Sequence, residues 1–197
     1  MTPENPITVS ADVSAFSTAR FRAVEITESN VDVLQCFFDE NPQYFLATGG
    51  APPRANEAIE EIHDVPPFGY PYSRILILLW QDGDGRAAAQ ATLVFDLFAE
   101  RVLHIGLFIA ATAQACHASI ERVAREHGYQ WLRLGVVAGN ARAERFWERR
   151  GYVQTRVREG VEMGMRTQTV RVMIKPLGTE TVAEYLTKVP RDQPGQP

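Results

Sequence analysis

The feature that most restricts the fold is a run of strand-like and helical segments between residues 102 and 152. Residues 102–109 and 131–137 are apolar runs of strand length. Between them, residues 113–127 repeat apolar side chains at helical spacing, and Gly128 is typical of a helix C-terminus. The segment therefore predicts a strand, a helix and a second strand in direct succession.

The rest of the chain surrounds this segment with further strands and helices. In chain order, we predict a strand at 21–26, a helix that starts near Asn30 and is interrupted at Asn41-Pro42, a helix at 56–63, a hairpin of strands 73–80 and 87–95, a helix at 142–149, and closing strands that begin at 151 and at 169. These mixed connections exclude a uniformly wound parallel sheet. They predict an α/β (α+β) domain with a mixed sheet and helices on both faces.

The length of 197 residues is suited to one core with small appendages. We expect residues 1–17 to form a flexible N-terminal arm, because they are polar and lack periodicity. The domain then spans 18–177, and residues 178–197 form a C-terminal tail with a short helix near 181–188.

Composition excludes several classes of partner. The net charge of −4 argues against nucleic acid, and no apolar stretch is long enough for a membrane span. The two cysteines and four histidines show no metal-ligand spacing, so no metal is expected. The N-terminus has no secretory signal pattern, which makes a cytoplasmic location the expectation.

Charge is unevenly distributed along the chain. Residues 25–64 contain nine acids and one arginine, whereas residues 133–171 contain nine arginines and four glutamates. The default interpretation is two solvated faces of opposite sign. The functional interpretation places the acidic half near a cationic amine and the basic half near a phosphorylated cofactor.

A short motif follows the second strand of the opening segment. Asn140, Ala143, Phe146, Gly151 and Tyr152 match the pattern N-x-x-A-x-x-F-Y-x-x-x-G-F, with Trp147 and Tyr152 at its last two aromatic positions. The chain thereby resembles the GNAT (GCN5-related N-acetyltransferase) superfamily. The resemblance implies a GNAT-like, largely antiparallel sheet and an enzyme that moves an acetyl group from acetyl-CoA to a primary amine of a small molecule by direct attack.

The resemblance also implies where the acetyl-CoA co-substrate binds. In this superfamily the fourth and fifth strands splay apart, and the pantetheine arm pairs with the exposed backbone. Leu107, Phe108 and Ile109 are the expected backbone contacts, and the Asn140 amide could hold the arm. The remaining expected cofactor-binding residues are Thr112, Ala113, Gln114, Ala143, Phe146 and Trp147. Asn140 is equally explained as a helix N-cap, and Phe146 as core packing.

Two positions depart from the superfamily pattern. The connection before the crossover helix, residues 110–114, lacks the glycines of the usual pyrophosphate-binding loop and is several residues shorter. Trp147 stands where many relatives have a tyrosine that protonates the departing thiolate, and an indole is no useful acid.

His104 is the predicted catalytic base, since it lies on the fourth strand where some relatives carry a base. The alternative is a structural histidine with a satisfied hydrogen bond, and Glu100 is a weaker candidate. We expect the acceptor to enter near residues 29–64 and the loop 158–167. Because of the two departures, the alternative function is a non-catalytic ligand-sensing or partner-binding module with a weakened CoA site. A homodimer is one expected assembly.

Overall fold

The computed structural model describes residues 12–110 and 113–196, which form seven strands and six α-helices. The strands are β1 (Arg22–Ile26), β2 (Arg74–Gln81), β3 (Ala87–Phe95), β4 (Val102–Ala110), β5 (Trp131–Val137), β6 (Val153–Met163) and β7 (Arg166–Pro176). The helices are α1 (Val31–Glu40), α2 (Pro42–Thr48), α3 (Glu57–His63), α4 (Ala113–Glu126), α5 (Ala141–Glu148) and α6 (Val182–Lys188). No helix in these described ranges is long and apolar enough to cross a membrane.

All seven strands belong to one sheet in the order β1-β2-β3-β4-β5-β7-β6. Every neighbouring pair is antiparallel except β4 and β5, which are parallel and joined through α4. The predicted mixed, largely antiparallel sheet is therefore confirmed.

Alternating residues of the central strands point to opposite faces of the sheet. On β2, Leu78 and Trp80 join a core that also contains Ile120 of α4, while Ile77 and Leu79 join a core formed with α1 and α3. We call the face covered by α4 and α5 the back face. The front face carries α1–α3 on one half of the sheet and α6 on the other.

Two elements differ from the sequence prediction. Pro42 interrupts the first helix as expected, but it also occupies the first turn of a new helix, α2, where its missing N–H costs nothing. The predicted loop 158–167 is a long hairpin instead, because β6 and β7 leave only Gly164 and Met165 between them. The exposed polar residues of this hairpin gave no strand-like alternation of apolar side chains.

The two ends of the described chain also differ from the predicted arm and tail. Residues 1–11 of the predicted arm lie outside the described residues, but Phe16 is fully buried and its carbonyl accepts a hydrogen bond from the Trp80 indole at 2.9 Å. In the predicted tail, Tyr185, Val189 and Asp192 are buried against β4 and β5. Residues 182–192 therefore complete the front face rather than trail from it.

Candidate functional site

The parallel strands β4 and β5 are paired over only half of their length. The register runs from Val102 opposite Trp131 to Ile105 opposite Leu134, and it ends there. Beyond this point β4 continues to pair with β3, and β5 continues to pair with β7. One edge of each strand is therefore left without a partner strand, although edges in the middle of a sheet are normally hydrogen-bonded.

A β-bulge in β4 coincides with the start of this divergence. The register between β3 and β4 shifts between Ala91 and Leu93, so that Thr92 faces both Gly106 and Leu107. Such a bulge increases local twist and ends regular pairing. Gly106 and Gly135 are the exposed residues at the two sides of the opening.

The opening leads into a cavity of about 230 Å³, which we call the cleft. Its walls come from both faces of the sheet. Back-face residues are Phe108, Asn140, Ala143 and Trp147, and front-face residues include Tyr44, Thr48, His104, Arg133, Arg158 and Met163. The cleft thus passes between the strands and connects α5 with α2 and the β6–β7 hairpin.

The structure brings part of the predicted cofactor site together. Four of the predicted residues line the cleft: Phe108, Asn140, Ala143 and Trp147. The side chains of Leu107 and Ile109 pack into the front-face core, while their backbone runs along the unpaired edge of β4. Ala113 and Gln114 form the first turn of α4, and Thr112 lies outside the described residues.

Asn140 acts as the N-cap of α5. Its Oδ1 accepts a hydrogen bond from the backbone N–H of Ala143 at 3.2 Å, which confirms the capping interpretation. Within the described part of the chain, its Nδ2 amide has no partner and Asn140 borders the cleft. The same residue can therefore begin the helix and donate a hydrogen bond to a ligand.

An aromatic cluster forms the back wall of the cleft. The rings of Phe108 and Phe146 are stacked at 6.3 Å, and Trp147 packs on both and on His117. His117 is buried and shares a 2.9 Å hydrogen bond with the Tyr152 hydroxyl. Burial, followed by the positive charge of Lys175, lowers the pKa of His117 to about 3, so the imidazole is neutral. The cluster is therefore an apolar wall, and Phe146 packs within it against Phe108 and Trp147.

His104 is held by a neighbouring arginine. It lies directly across from Arg133 on β5, and Arg133 Nη1 is 3.2 Å from His104 Nδ1. A guanidinium only donates, so Nδ1 accepts and the imidazole proton is on Nε2. Burial, together with the Arg133 charge, lowers the pKa of His104 to about 3. These surroundings disfavour the predicted role of a base and suit a hydrogen-bond donor.

Arg133 is itself neutralised from the C-terminal segment. Its Nε and Nη2 donate to the fully buried Asp192 at 2.7 and 3.1 Å, and the Tyr185 hydroxyl donates to the same carboxylate at 2.5 Å. Burial opposes ionisation of Asp192, but the hydrogen bonds and charge of Arg133 prevail and lower its pKa. This ion pair, between residues 59 apart in sequence, fixes Arg133 beneath His104.

Sequence reasoning missed a carboxylate beside the cleft. Glu61 on α3 accepts a hydrogen bond from the Thr92 hydroxyl, which in turn accepts one from Gln90 at 2.9 Å. Burial raises the pKa of Glu61 above its ordinary value, despite the Thr92 hydrogen bond. The negative charge of Glu61 also acts on Tyr44, which lines the cleft. Burial is the main cause that raises the pKa of Tyr44, and the charge of Glu61 is the second.

Thr92, the hydrogen-bond partner of Glu61, is the β3 residue opposite the bulge. Thr92 lies against Gly106: a methyl group at Gly106 would be 3.7 Å from the Thr92 carbonyl. Glu61 is thus one side chain away from the opening between the strands. Its only sequence signal was membership of the acidic run. Several other acids of that run bind nearby basic groups, as Glu57 and Glu60 do with Arg54 and Glu28 with His63.

Comparison with solved structures identifies the fold. A probable acetyltransferase of the GNAT family from Chromobacterium violaceum ATCC 12472 aligns with a TM-score of 0.68 over 90% of this chain and 96% of its own, at 12% identity. An acetyltransferase from Thermus thermophilus aligns with a TM-score of 0.62 over 80% of this chain and 97% of its own, at 17% identity.

A third relative was solved with ligands. The spermidine N-acetyltransferase from Vibrio cholerae, in complex with CoA and spermine, aligns with a TM-score of 0.57 over 81% of this chain and 97% of its own, at 14% identity. No protein-family model matches this chain, and no curated protein matches its sequence. The chain has the GNAT fold, at identities that show the fold alone.

Proposed function

We propose that this protein is an N-acetyltransferase that moves an acetyl group from acetyl-CoA to a primary amine of a small molecule. The observation that carries this proposal is the divergence of β4 and β5 beyond Ile105 and Leu134. It leaves unpaired main-chain groups beside a narrow cleft, and a slender, amide-bearing chain such as pantetheine can bond to them as a strand would. CoA bound to the Vibrio cholerae relative supports this reading.

The remaining contacts to the cofactor follow from the cleft walls. The β4 backbone at Leu107–Ile109 would pair with the pantetheine amides, and the free Nδ2 of Asn140 would hold the arm from the opposite side. The first turn of α4, with Ala113 and Gln114, offers N–H groups that lack helical acceptors and favour phosphate. Phe146 and Trp147 keep water from the arm.

Proton transfer requires a base on the acceptor side. Glu61 fits this role better than His104, because burial raises the Glu61 pKa above its ordinary value whereas burial and Arg133 lower the His104 pKa. We propose that Glu61 receives the amine proton through water and Tyr44, which lines the cleft. His104, with its proton on Nε2, would donate a hydrogen bond into the cleft. The departing thiolate takes its proton from water, since Trp147 cannot supply one.

The rival function is a ligand-binding module without catalysis, which the two-residue connection between β4 and α4 favours. Two measurements decide between them: calorimetric titration with acetyl-CoA, and mass spectrometry of a panel of amines after incubation with acetyl-CoA. Binding together with a mass gain of one acetyl group on an amine supports the enzyme. Binding without any acetylation favours the module, and no binding at high acetyl-CoA concentration contradicts the enzyme.

Filling the cleft should weaken cofactor binding without unfolding the domain. Ala143 faces the cleft from α5, so the Ala143→Phe variant would place a ring where the arm must pass. We expect acetyl-CoA to bind at least about tenfold more weakly, which is about 1.4 kcal/mol. The matched control is Ala141→Phe, an exposed residue of the same helix. Equal affinities of the two variants, measured by calorimetry with circular dichroism to verify folding, would contradict the cleft as the cofactor site.

A further inference from the structure

Four arginines converge on the front face of the sheet beside the cleft. We call Arg133, Arg156, Arg158 and Arg191 the arginine cluster; they come from β5, from β6 and from the turn after α6. Arg133 and Arg158 line the cleft, and Arg156 and Arg191 line an adjoining pocket of about 500 Å³. The cluster connects the two spaces, because Phe98 stacks with Arg133 at 4.9 Å and with Arg191 at 4.2 Å.

The positive charge of Arg133, Arg158 and Arg191 is only partly neutralised by the described residues. Among the described residues, Arg133 pairs with Asp192, whereas Arg158 and Arg191 have no carboxylate within ion-pair distance. Three guanidinium groups and one carboxylate leave two positive charges. Arg156 is the fourth cation, and its Nη1 donates to the Arg191 carbonyl at 2.6 Å. Like charges held this close repel one another unless an anion is bound.

Two groups of the cluster lack partners within the described chain. Arg158 is an exposed side chain that borders the cleft and makes no hydrogen bond or ion pair with the described residues. The Nε of Arg191 is buried and also has no partner. A buried, unpaired donor costs free energy, and such groups are usually satisfied by water, an ion or a ligand. Burial and then the charges of Arg156, Arg133 and Arg191 lower the pKa of Arg158, in agreement with a site where several positive charges lie close together.

The cofactor's phosphates are unsuited to this position. Leu132 and Leu134 point into the back-face core with α4, so Arg133 between them points to the front face. The N-terminus of α4, where phosphate is favoured, is therefore on the other side of the sheet from the cluster. An anion at the cluster would belong to the second substrate.

We propose that Arg158, supported by Arg156 and Arg191, binds an oxyanion carried by the acceptor, so that the substrate is an amine with a carboxylate or phosphate group. This proposal rests on the proposed acetyltransferase function. The planar guanidinium fork matches the two oxygens of either group. Glu61 and Tyr44 on the opposite side of the cleft leave a place for the amine between two regions of opposite charge.

Matched amines test the substrate class. Lysine is compared with cadaverine, which differs only by the carboxylate, and O-phosphoethanolamine with ethanolamine; each is assayed with acetyl-CoA for kcat/KM. We expect at least about tenfold higher kcat/KM for the member of each pair that carries the anionic group, as one charge-assisted hydrogen bond would give. The pair with the larger ratio identifies carboxylate or phosphate as the natural group.

The variant Arg158→Gln tests the residue. We expect it to raise KM for the amine that carries the anionic group about tenfold or more, with kcat and the KM for the matched amine without that group unchanged. Arg158→Lys should restore part of the affinity. The control is Arg22→Gln, an exposed arginine on the far strand β1. Acetyl-CoA affinity is measured for each variant by calorimetry.

The outcomes separate this proposal from the function on which it rests. If no amine is acetylated and acetyl-CoA does not bind, the acetyltransferase function is wrong. If amines are acetylated equally well with and without an anionic group, and Arg158→Gln changes neither KM, the anion subsite is overturned while the function stands. Loss of acetyl-CoA affinity in Arg158→Gln would also overturn it, because the cluster would then serve the cofactor.

Discussion

Replacing Glu61 by glutamine should lower kcat/KM for acetyl transfer by about 10²- to 10⁴-fold, the usual contribution of a positioned base. Glutamine keeps the shape of the side chain and can still accept the Thr92 hydrogen bond, but it cannot take a proton. Acetyl-CoA affinity should be unchanged, because Glu61 is not among the residues that line the cleft.

The pH dependence of kcat/KM tests whether Glu61 acts as the base. A base must be ionised to act, so kcat/KM of the unaltered protein should fall as pH is lowered through the Glu61 pKa, which burial places above 4.5. The Glu61→Gln variant should lack this acidic limb. Burial disfavours the carboxylate, and its folded pKa exceeds the unfolded one; at neutral pH the variant should therefore melt at the same temperature or higher.

The control for Glu61 is its neighbour on the same helix. Glu60 is exposed and, among the described residues, pairs with Arg54 and Asn56 at the surface, so Glu60→Gln should leave kcat/KM and its pH profile unchanged. A Glu61→Gln variant with full activity and an intact acidic limb would remove Glu61 from the mechanism. His104→Gln, assayed in parallel, would then show whether the histidine provides the base instead.

The second large effect concerns stability. Asp192→Asn should lower the free energy of unfolding by about 3–5 kcal/mol, because it leaves the buried Arg133 guanidinium without a counter-charge. For a domain of this length, that loss corresponds to a fall in Tm of roughly 6–20 °C, measured by differential scanning calorimetry. Asp84→Asn, at an exposed position of the β2–β3 turn, is the matched control and should leave Tm unchanged.

A double variant separates the ion pair from simple loss of packing. In Arg133→Met with Asp192→Leu, both charges are absent and apolar side chains occupy the space. Buried ion pairs replaced in this way often lose little stability, so the double variant should melt above Asp192→Asn. A double variant no more stable than the single one would show that shape, and not the uncompensated charge, limits this site.

At acidic pH, the difference in Tm between the Asp192→Asn variant and the unaltered protein should disappear. The folded-state pKa of Asp192 lies below its ordinary 3.8, since Arg133 outweighs the cost of burial. Its contribution is therefore complete at pH values well above 3.8 and is lost as pH falls through the folded pKa. We expect a constant difference in Tm between about pH 5 and 7 that narrows in more acidic solution.

Local patterns in the sequence predicted most of the elements. The residues 131–137 were predicted with the observed bounds, because a central strand buried on both faces is a continuous apolar run. Asn140 was predicted as a cap from its residue type and place, and Oδ1 does cap α5. In contrast, α2 was missed because the proline signal marks both the end of one helix and the start of another.

The site depended on contacts that no local pattern contains. Glu61 meets Thr92 across 31 residues, and Arg133 meets Asp192 across 59. In sequence, Glu61 is one acid in a run of nine, and Asp192 lies in a segment that was predicted to be a tail. The role of each depends on its burial and on its partner's charge, and both arise only when distant elements pack together.

Sequence by itself determined the order of strands and helices, because periodicity and capping depend on neighbours along the chain. The kind of cleft to expect was implied by the resemblance of the motif at Asn140–Tyr152 to the GNAT superfamily. Tertiary structure alone decided that β4 and β5 part after Ile105 and Leu134, that Arg133 donates a hydrogen bond to His104, and that Glu61 binds Thr92 next to the opening. These properties depend on strand register, burial and the charge of groups brought close through space, and none of the three is a property of a local segment.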